Sequence, residues 1–279
     1  MFAVASQLAD ALHRRSLRLE VLERQPAVKT NHAPIVFVHG AFAGAWCWGE
    51  HFLDHFAKHG HPAYALSLRG HGESEGRDAL LWTSLADYAD DVGSVLAQLG
   101  PRVILVGHSM GGMVVQKCLE RQPAAAAILM ASVPPRGLVG PNLAMILRDP
   151  ALWIGLGVAQ VGGSTFGSLH MVRRALFATA VSDRTVERVV GQSQMESQRV
   201  VFDLSGWDLP DVERVRQTPI LVLGAADDAL VAEEHVRATA KAYAAKCEVF
   251  PNMAHAMMLE LTWERVAHSM LAWIKEQAL

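Results

Sequence analysis

Short apolar runs recur along this chain, and most are followed by a longer stretch of helical period. Ile35-Val36-Phe37-Val38, Val103-Ile104-Leu105-Val106, Ala125 to Met130 and Pro219-Ile220-Leu221-Val222-Leu223 are strand-length runs with no charged residue. Such runs read as strands buried on both faces. Pro62 to Leu68 and Cys247-Glu248-Val249-Phe250 read as further strands. Leu17, Leu19 and Val21 alternate with Arg18 and Glu20, the period of a half-exposed edge strand. Between the runs, Trp48 to His59, Thr83 to Leu99, Met113 to Arg121, Ala232 to Ala245 and Leu259 to Lys275 carry helical spacing, with Pro123 closing the third. Residues 1 to 15 have the pattern of a short amphipathic helix. Strand and helix units in alternation predict an α/β fold, a mostly parallel sheet with helices on both faces.

The alternation stops after Ser132-Val133-Pro134-Pro135 and resumes at Pro219. Between them the pattern offers helical pieces rich in Met, Gly and Leu and no buried strand. The chain therefore divides into a core, residues 1–135 and 217–279, and a helical insertion, residues 136–216. Ligands of open α/β sheets bind outside the carboxyl ends of the strands, so an insertion there is expected to form a cap over a site. Within it, Met145, Ile146, Leu147, Leu152, Trp153 and Ile154 are candidates for either a pocket wall or the packing of the cap itself.

Composition narrows the classes. With 279 residues, 51% of them hydrophobic, the chain has enough apolar surface for a large core. A net charge of -3 and no basic run longer than Arg14-Arg15 or Arg173-Arg174 give nucleic-acid binding no support. Cys47, Cys118 and Cys247 lack any C-x-x-C spacing and read as reduced, buried thiols of a cytoplasmic protein. The opening residues reach Asp10 too soon for a signal peptide, and no stretch has the apolar length of a membrane span. His51, His55 and His59 recur at helical spacing, but no carboxylate or cysteine completes a metal set. They read as a solvated helix face, and Asp10, Asp87, Asp90 and Asp91 as solvated helix charges.

The chemistry concentrates where the run ending at Val106 meets Gly107-His108-Ser109-Met110-Gly111-Gly112. A serine on a sharp strand-to-helix turn projects clear of the sheet, and Gly107 and Gly111 lack the Cβ that would keep strand and helix apart. The Met110 N–H then lies at a helix N-terminus, where developing negative charge is stabilised. A serine hydroxyl needs a base to take its proton and an acid to orient that base. Asp227-Asp228 follows one strand run and His255 the next, both at the carboxyl edge that carries Ser109. His39-Gly40-Ala41 ends the first buried strand, so the Ala41 N–H joins that of Met110 as a second oxyanion donor. His39 is expected to bond loop backbone, and His108 to point away from substrate.

On these motifs the chain resembles α/β-hydrolases. The resemblance rests on His39-Gly40-Ala41, Arg69-Gly70-His71-Gly72, Gly107 to Gly112, the loop Gly224 to Val231, and Asn252 to His255. Ala41 to Trp48 is similar to the matching segment of plant methylesterases and hydroxynitrile lyases, and Gly107 to Pro123 to bacterial carboxylesterases and lysophospholipase-like hydrolases. Such families often carry Asp before the Arg-Gly-His-Gly loop, where this chain has Ser67-Leu68, a place that usually shapes structure. The resemblance implies a Ser109, Asp228, His255 triad, the acid standing three residues before Val231, with Asp227 left to cap the turn. It implies ester hydrolysis through an acyl-serine, with no cofactor and no metal. The expected substrate is an uncharged small-molecule ester of short to medium acyl chain. Thioester cleavage, carbon–carbon hydrolysis and cyanohydrin lysis run on the same triad, and a ligand sensor can share the fold. Ser109 in place of Asp disfavours dehalogenase or epoxide-hydrolase chemistry.

Overall fold

The computed structural model describes residues 17–162, 169–178 and 181–279. The amphipathic helix expected over residues 1 to 15 lies outside them.

The apolar runs form the centre of one sheet. Its strands are β1 (Val21–Arg24), β2 (Ile35–Val38), β3 (Ala63–Leu66), β4 (Ile104–His108), β5 (Ala126–Met130), β6 (Ile220–Ala225) and β7 (Lys246–Phe250). Their order across the sheet is β1-β3-β2-β4-β5-β6-β7. Only β1 runs antiparallel, against β3, and the other neighbours pair in parallel. Side chains alternate across a strand, and the core divides accordingly. Ile35, Phe37, Ile104, Val106 and Ile128 face one helical layer, whereas Val36, Val38, Leu105, Ala127 and Leu129 face the other. The first layer holds α1 (Trp46–Gly49), α2 (Phe52–Lys58) and α12 (Trp263–Glu276). The second holds α3 (Leu85–Leu99), α4 (Met110–Leu119) and α11 (Glu233–Tyr243). Helices on both faces are what the unbroken apolar runs require.

Three elements differ from the pattern. The edge strand starts at Val21, because Arg18 to Glu20 bond instead to the loop after β3. The Arg18 carbonyl accepts from Glu75 N–H, and Glu20 N–H donates to Ser74 Oγ. The helix expected from Trp48 to His59 is two helices, broken at His51, whose φ of -138° is not helical. The last helix begins at Trp263 rather than Leu259. The Glu260 carboxylate accepts the N–H groups of Ala254 and Ala178, which holds the preceding chain in a loop.

Between β5 and β6 the described chain is helical: α5 (Val139–Arg148), α6 (Pro150–Gly162), α7 (Leu169–Leu176), α8 (Asp183–Gln192), α9 (Gln198–Phe202) and α10 (Val212–Val215). No strand interrupts it among the described residues. No described helix is long and apolar enough to cross a membrane.

Close backbone approaches fix both ends of the turn between β4 and α4. A Cβ on Gly107 would lie 2.4 Å from the Gly111 carbonyl oxygen and 2.6 Å from Gly112 Cα, and one on Gly111 2.3 Å from the His39 carbonyl oxygen. These are backbone obstacles that no rotamer change relieves. Gly107→Ala is therefore expected to destabilise the protein by about 3 kcal/mol or more, read as a lower urea midpoint at unchanged slope.

Candidate active site

Ser109 stands between β4 and α4 with φ 53° and ψ -119°, a backbone state that non-glycine residues seldom hold. The sheet fixes it there. Ser109 N–H donates to the Met130 carbonyl at 3.0 Å, and the Ser109 carbonyl accepts from Gly112 and Val133 N–H at 3.1 Å each. Strand pairing thus runs through Gly107 and His108 to the edge of the turn, two residues beyond the apolar run.

Asp228 and His255 meet on the same edge. Asp228 Oδ2 lies 2.8 Å from His255 Nδ1, and both side chains are buried. A carboxylate only accepts, so Nδ1 carries a proton, and in the neutral ring Nε2 is then the acceptor. The other carboxylate oxygen accepts the Leu230 and Val231 N–H groups at 2.8 and 2.9 Å. The turn-capping role expected of Asp227 therefore falls to Asp228 as well. Asp227 is exposed, and its N–H donates to the Met253 carbonyl.

The flanking histidines are structural. His39 is fully buried; Leu68 N–H donates to its Nε2 at 3.0 Å and its Nδ1–H donates to the Gly40 carbonyl at 2.8 Å. Burial, and then the nearby His71, push it down to about 3, so it stays neutral. His108 packs its ring 4.7 Å from that of His255 and donates through Nε2 to the His255 carbonyl at 2.9 Å. Burial and His255 hold it well below the usual histidine range. Rather than pointing away from the site, it supports His255 from beneath and borders the cavity.

That cavity, about 350 Å³, is lined by Ser109, His255, Ala41 and Met110 together with residues of the helical insertion, Met145 and Trp153 among them. Met110 opens α4, so its N–H belongs to the first turn, which has no intrahelical acceptor. Gly40 lies directly against Ser109: a Cβ there would stand 3.0 Å from the serine Cβ. The structure thus places Ser109, His255, Ala41 and Met110 around one cavity, with Asp228 reached through His255 Nδ1 and Gly107 at the close crossing of β4 and α4. Ser67 Oγ–H donates to Glu20 and accepts Ala45 N–H, so Glu20 supplies a carboxylate at this point.

Other polar readings need correction. Asp91 is buried, not solvated: it binds the Arg69 guanidinium at 2.7 Å and accepts Arg69 N–H. Asp87 closes the capping box of α3 with Ser84. His51 and His55 do not form a solvated face, for His51 stacks on Trp263 at 4.7 Å and His55 packs among Trp263, His59 and His268. Among the described residues no group of His, Cys, Asp and Glu is arranged to hold a metal ion. Sequence reasoning missed Glu196, a buried carboxylate bordering the cavity and 3.3 Å from His71 Nε2. Its signal was faint: an acidic residue in the insertion, distant in sequence from the histidine it meets.

A family model described as "Alpha/beta hydrolase family" matches residues 35–269, most of the chain. Methylesterase 18 of Arabidopsis thaliana is 32% identical over 139 residues, 48% of this chain and 52% of that protein. Probable esterase PIR7A of Oryza sativa subsp. indica is 37% identical over 107 residues, 37% of this chain and 40% of that protein. The chain thus spans about half the length, or less, of these curated relatives. An esterase from Exiguobacterium antarcticum has a solved structure that superposes with a TM-score of 0.73 at 18% identity, covering 93% of this chain and 96% of that one. At that identity the likeness is one of fold.

The two adjacent aspartates separate in a labelling experiment. Asp228→Asn leaves His255 in the wrong tautomer, and the rate of Ser109 modification by a fluorophosphonate is expected to fall by about 10⁴-fold. Asp227→Asn should leave that rate almost unchanged. The reverse ranking would make Asp227 the partner of His255.

Proposed function

The chain belongs to the alpha/beta hydrolase family, and from that premise we propose that it is a serine esterase acting on uncharged carboxylic esters. The observation that carries the reading is Ser109, held at φ 53° on the wall of a cavity it shares with His255, whose Nδ1 is bound to Asp228. In this reading Ser109 Oγ attacks the ester carbonyl carbon while its proton passes to His255 Nε2. The carbonyl oxygen gains the negative charge between the Met110 and Ala41 N–H groups. Collapse of the tetrahedral adduct expels the alcohol, which takes the proton from His255. Water, deprotonated by the same nitrogen, then releases the acid and restores Ser109. Asp228 orients the imidazole and stabilises its charged form.

Residues 136–216 act as the cap in this proposal, over a core of residues 1–135 and 217–279. Leu138, Met145, Trp153 and Leu156 give the cavity an apolar wall, and its volume suits a short to medium acyl chain. The names of the relatives, methylesterase and esterase, support the same chemistry. A cytoplasmic setting fits the free thiols of Cys47, Cys118 and Cys247.

The test is a series of p-nitrophenyl esters of increasing acyl length, with fluorophosphonate labelling alongside. Turnover should peak at short to medium chains, and Ser109→Ala should fold normally yet neither turn over nor label. Turnover near wild type in that variant, or a folded parent protein that neither hydrolyses an ester nor labels, would overturn the proposal. The second result would favour a ligand sensor.

A further inference from the structure

The oxyanion loop is a tight turn in an unfavourable state. Ala43 N–H reaches the Gly40 carbonyl at 3.4 Å, which places Ala41 and Phe42 at the two central positions. Phe42 has φ 64°, the left-handed region that this turn position ordinarily reserves for glycine. An aromatic side chain persists there only if its surroundings over-determine it.

Those surroundings come from the helical insertion. Gln194 N–H donates to the Phe42 carbonyl at 2.9 Å, and the Gln194 side chain accepts Gly72 N–H at 2.6 Å. Glu196 Oε2 accepts the Phe42 N–H at 3.4 Å and faces His71 Nε2 at 3.3 Å. Its other oxygen accepts Tyr88 O–H at 2.6 Å and Ser197 N–H at 2.7 Å. Burial alone would raise the Glu196 carboxyl, but His71 and these donors outweigh it and hold it below the usual range. Burial alone would lower His71, but Glu196 outweighs it and holds it above. A buried, fully bonded carboxylate thus grips the N–H of the central peptide of the turn.

We propose that Glu196 is a positioning residue for catalysis, holding the Ala41–Phe42 peptide so that the turn presents the Ala41 N–H to the oxyanion. This rests on the esterase reading above. Rotation of that peptide is what carries Phe42 out of the left-handed region, and the Glu196 acceptor opposes it. The cap then does more than wall the cavity, because its departure would release the loop that forms half of the oxyanion hole.

Glu196→Gln isolates the effect. The amide oxygen keeps Tyr88 and Ser197, and the amide N–H₂ can donate to a neutral His71. Only Phe42 N–H then meets a donor instead of an acceptor. We expect a thermal midpoint close to the parent's, a KM little changed, and kcat lower by about 10-fold or more, part of the roughly 100-fold or greater loss typical of a deleted oxyanion donor. The affinity of a trifluoromethyl ketone should fall in proportion. Ser109 Oγ adds to that ketone, the proton passes to His255, and the resulting oxyanion needs the same two donors. Phe42→Gly gives a second measurement, since glycine holds φ 64° without strain. In that background Glu196→Gln should lose clearly less kcat. The proposal is overturned if the Gln variant keeps the parent's kcat, if its loss appears wholly in KM, or if the two substitutions are independent. An unmodified protein that neither hydrolyses esters nor labels would defeat the esterase reading, and this inference with it.

Discussion

The site depends on how closely two pieces of backbone can approach. β4 and α4 cross with no room for a Cβ on Gly107, Gly111 is pressed against the backbone at the end of β2, and Gly112 against Ser132. The chain must therefore turn within a single residue, and that residue is Ser109 at φ 53°. The strain is local, but its support is spread across the sheet: β5 accepts the Ser109 N–H, and Val133 beyond β5 binds the Ser109 carbonyl. A parallel sheet buried on both faces supplies that stiffness, since its strands cannot shift without breaking ladder bonds away from water. Strain at the serine and burial of the sheet are two ends of one constraint.

Histidine chemistry follows from where water is excluded. His39, His108 and His255 are all buried near Ser109, yet their hydrogen bonds give them different roles. His39 and His108 each bond backbone carbonyls and stay neutral because burial disfavours their charged form. His255 alone faces a carboxylate through one nitrogen and the cavity beside Ser109 through its ring. His71 faces a carboxylate too, but Glu196 and Tyr88 close around it. Burial is common to all four; what differs is the partner each ring nitrogen faces.

The core fold was legible because its signals are local. Runs such as Ile104 to Val106 and turns such as Gly107 to Gly112 carry their reasons within a few residues. The shared position of Ser109, Asp228 and His255 was legible for a related cause, since parallel strands bring their following loops to one edge. Asp91 and Glu196 were not legible. Asp91 sits among Asp87 and Asp90 on a helix, and only the return of Arg69 from the loop after β3 buries it. Glu196 lies far along the chain from His71 and Tyr88, and no periodicity marks a contact made by tertiary packing alone. Helix boundaries failed for a related reason: His51 stacks on Trp263 and Glu260 binds Ala178 N–H, both partners distant in sequence.

The buried ion pair of Glu196 and His71 bears on why the insertion and the core act together. Taking two charges out of water is costly, and apolar side chains of similar size often stabilise a fold as well or better. Such a pair is therefore a weak explanation of stability. Its geometry says more. One carboxylate collects a histidine from the loop after β3, a tyrosine from α3 and a backbone N–H from the turn after β2. An apolar residue would fill the space but accept none of these donors. Phe42 would then lose the acceptor that holds its N–H, and Tyr88 would bury an unbonded hydroxyl. Charge at this place fixes one arrangement of three segments around a residue of the insertion, and one of those segments carries Ala41 to the mouth of the site.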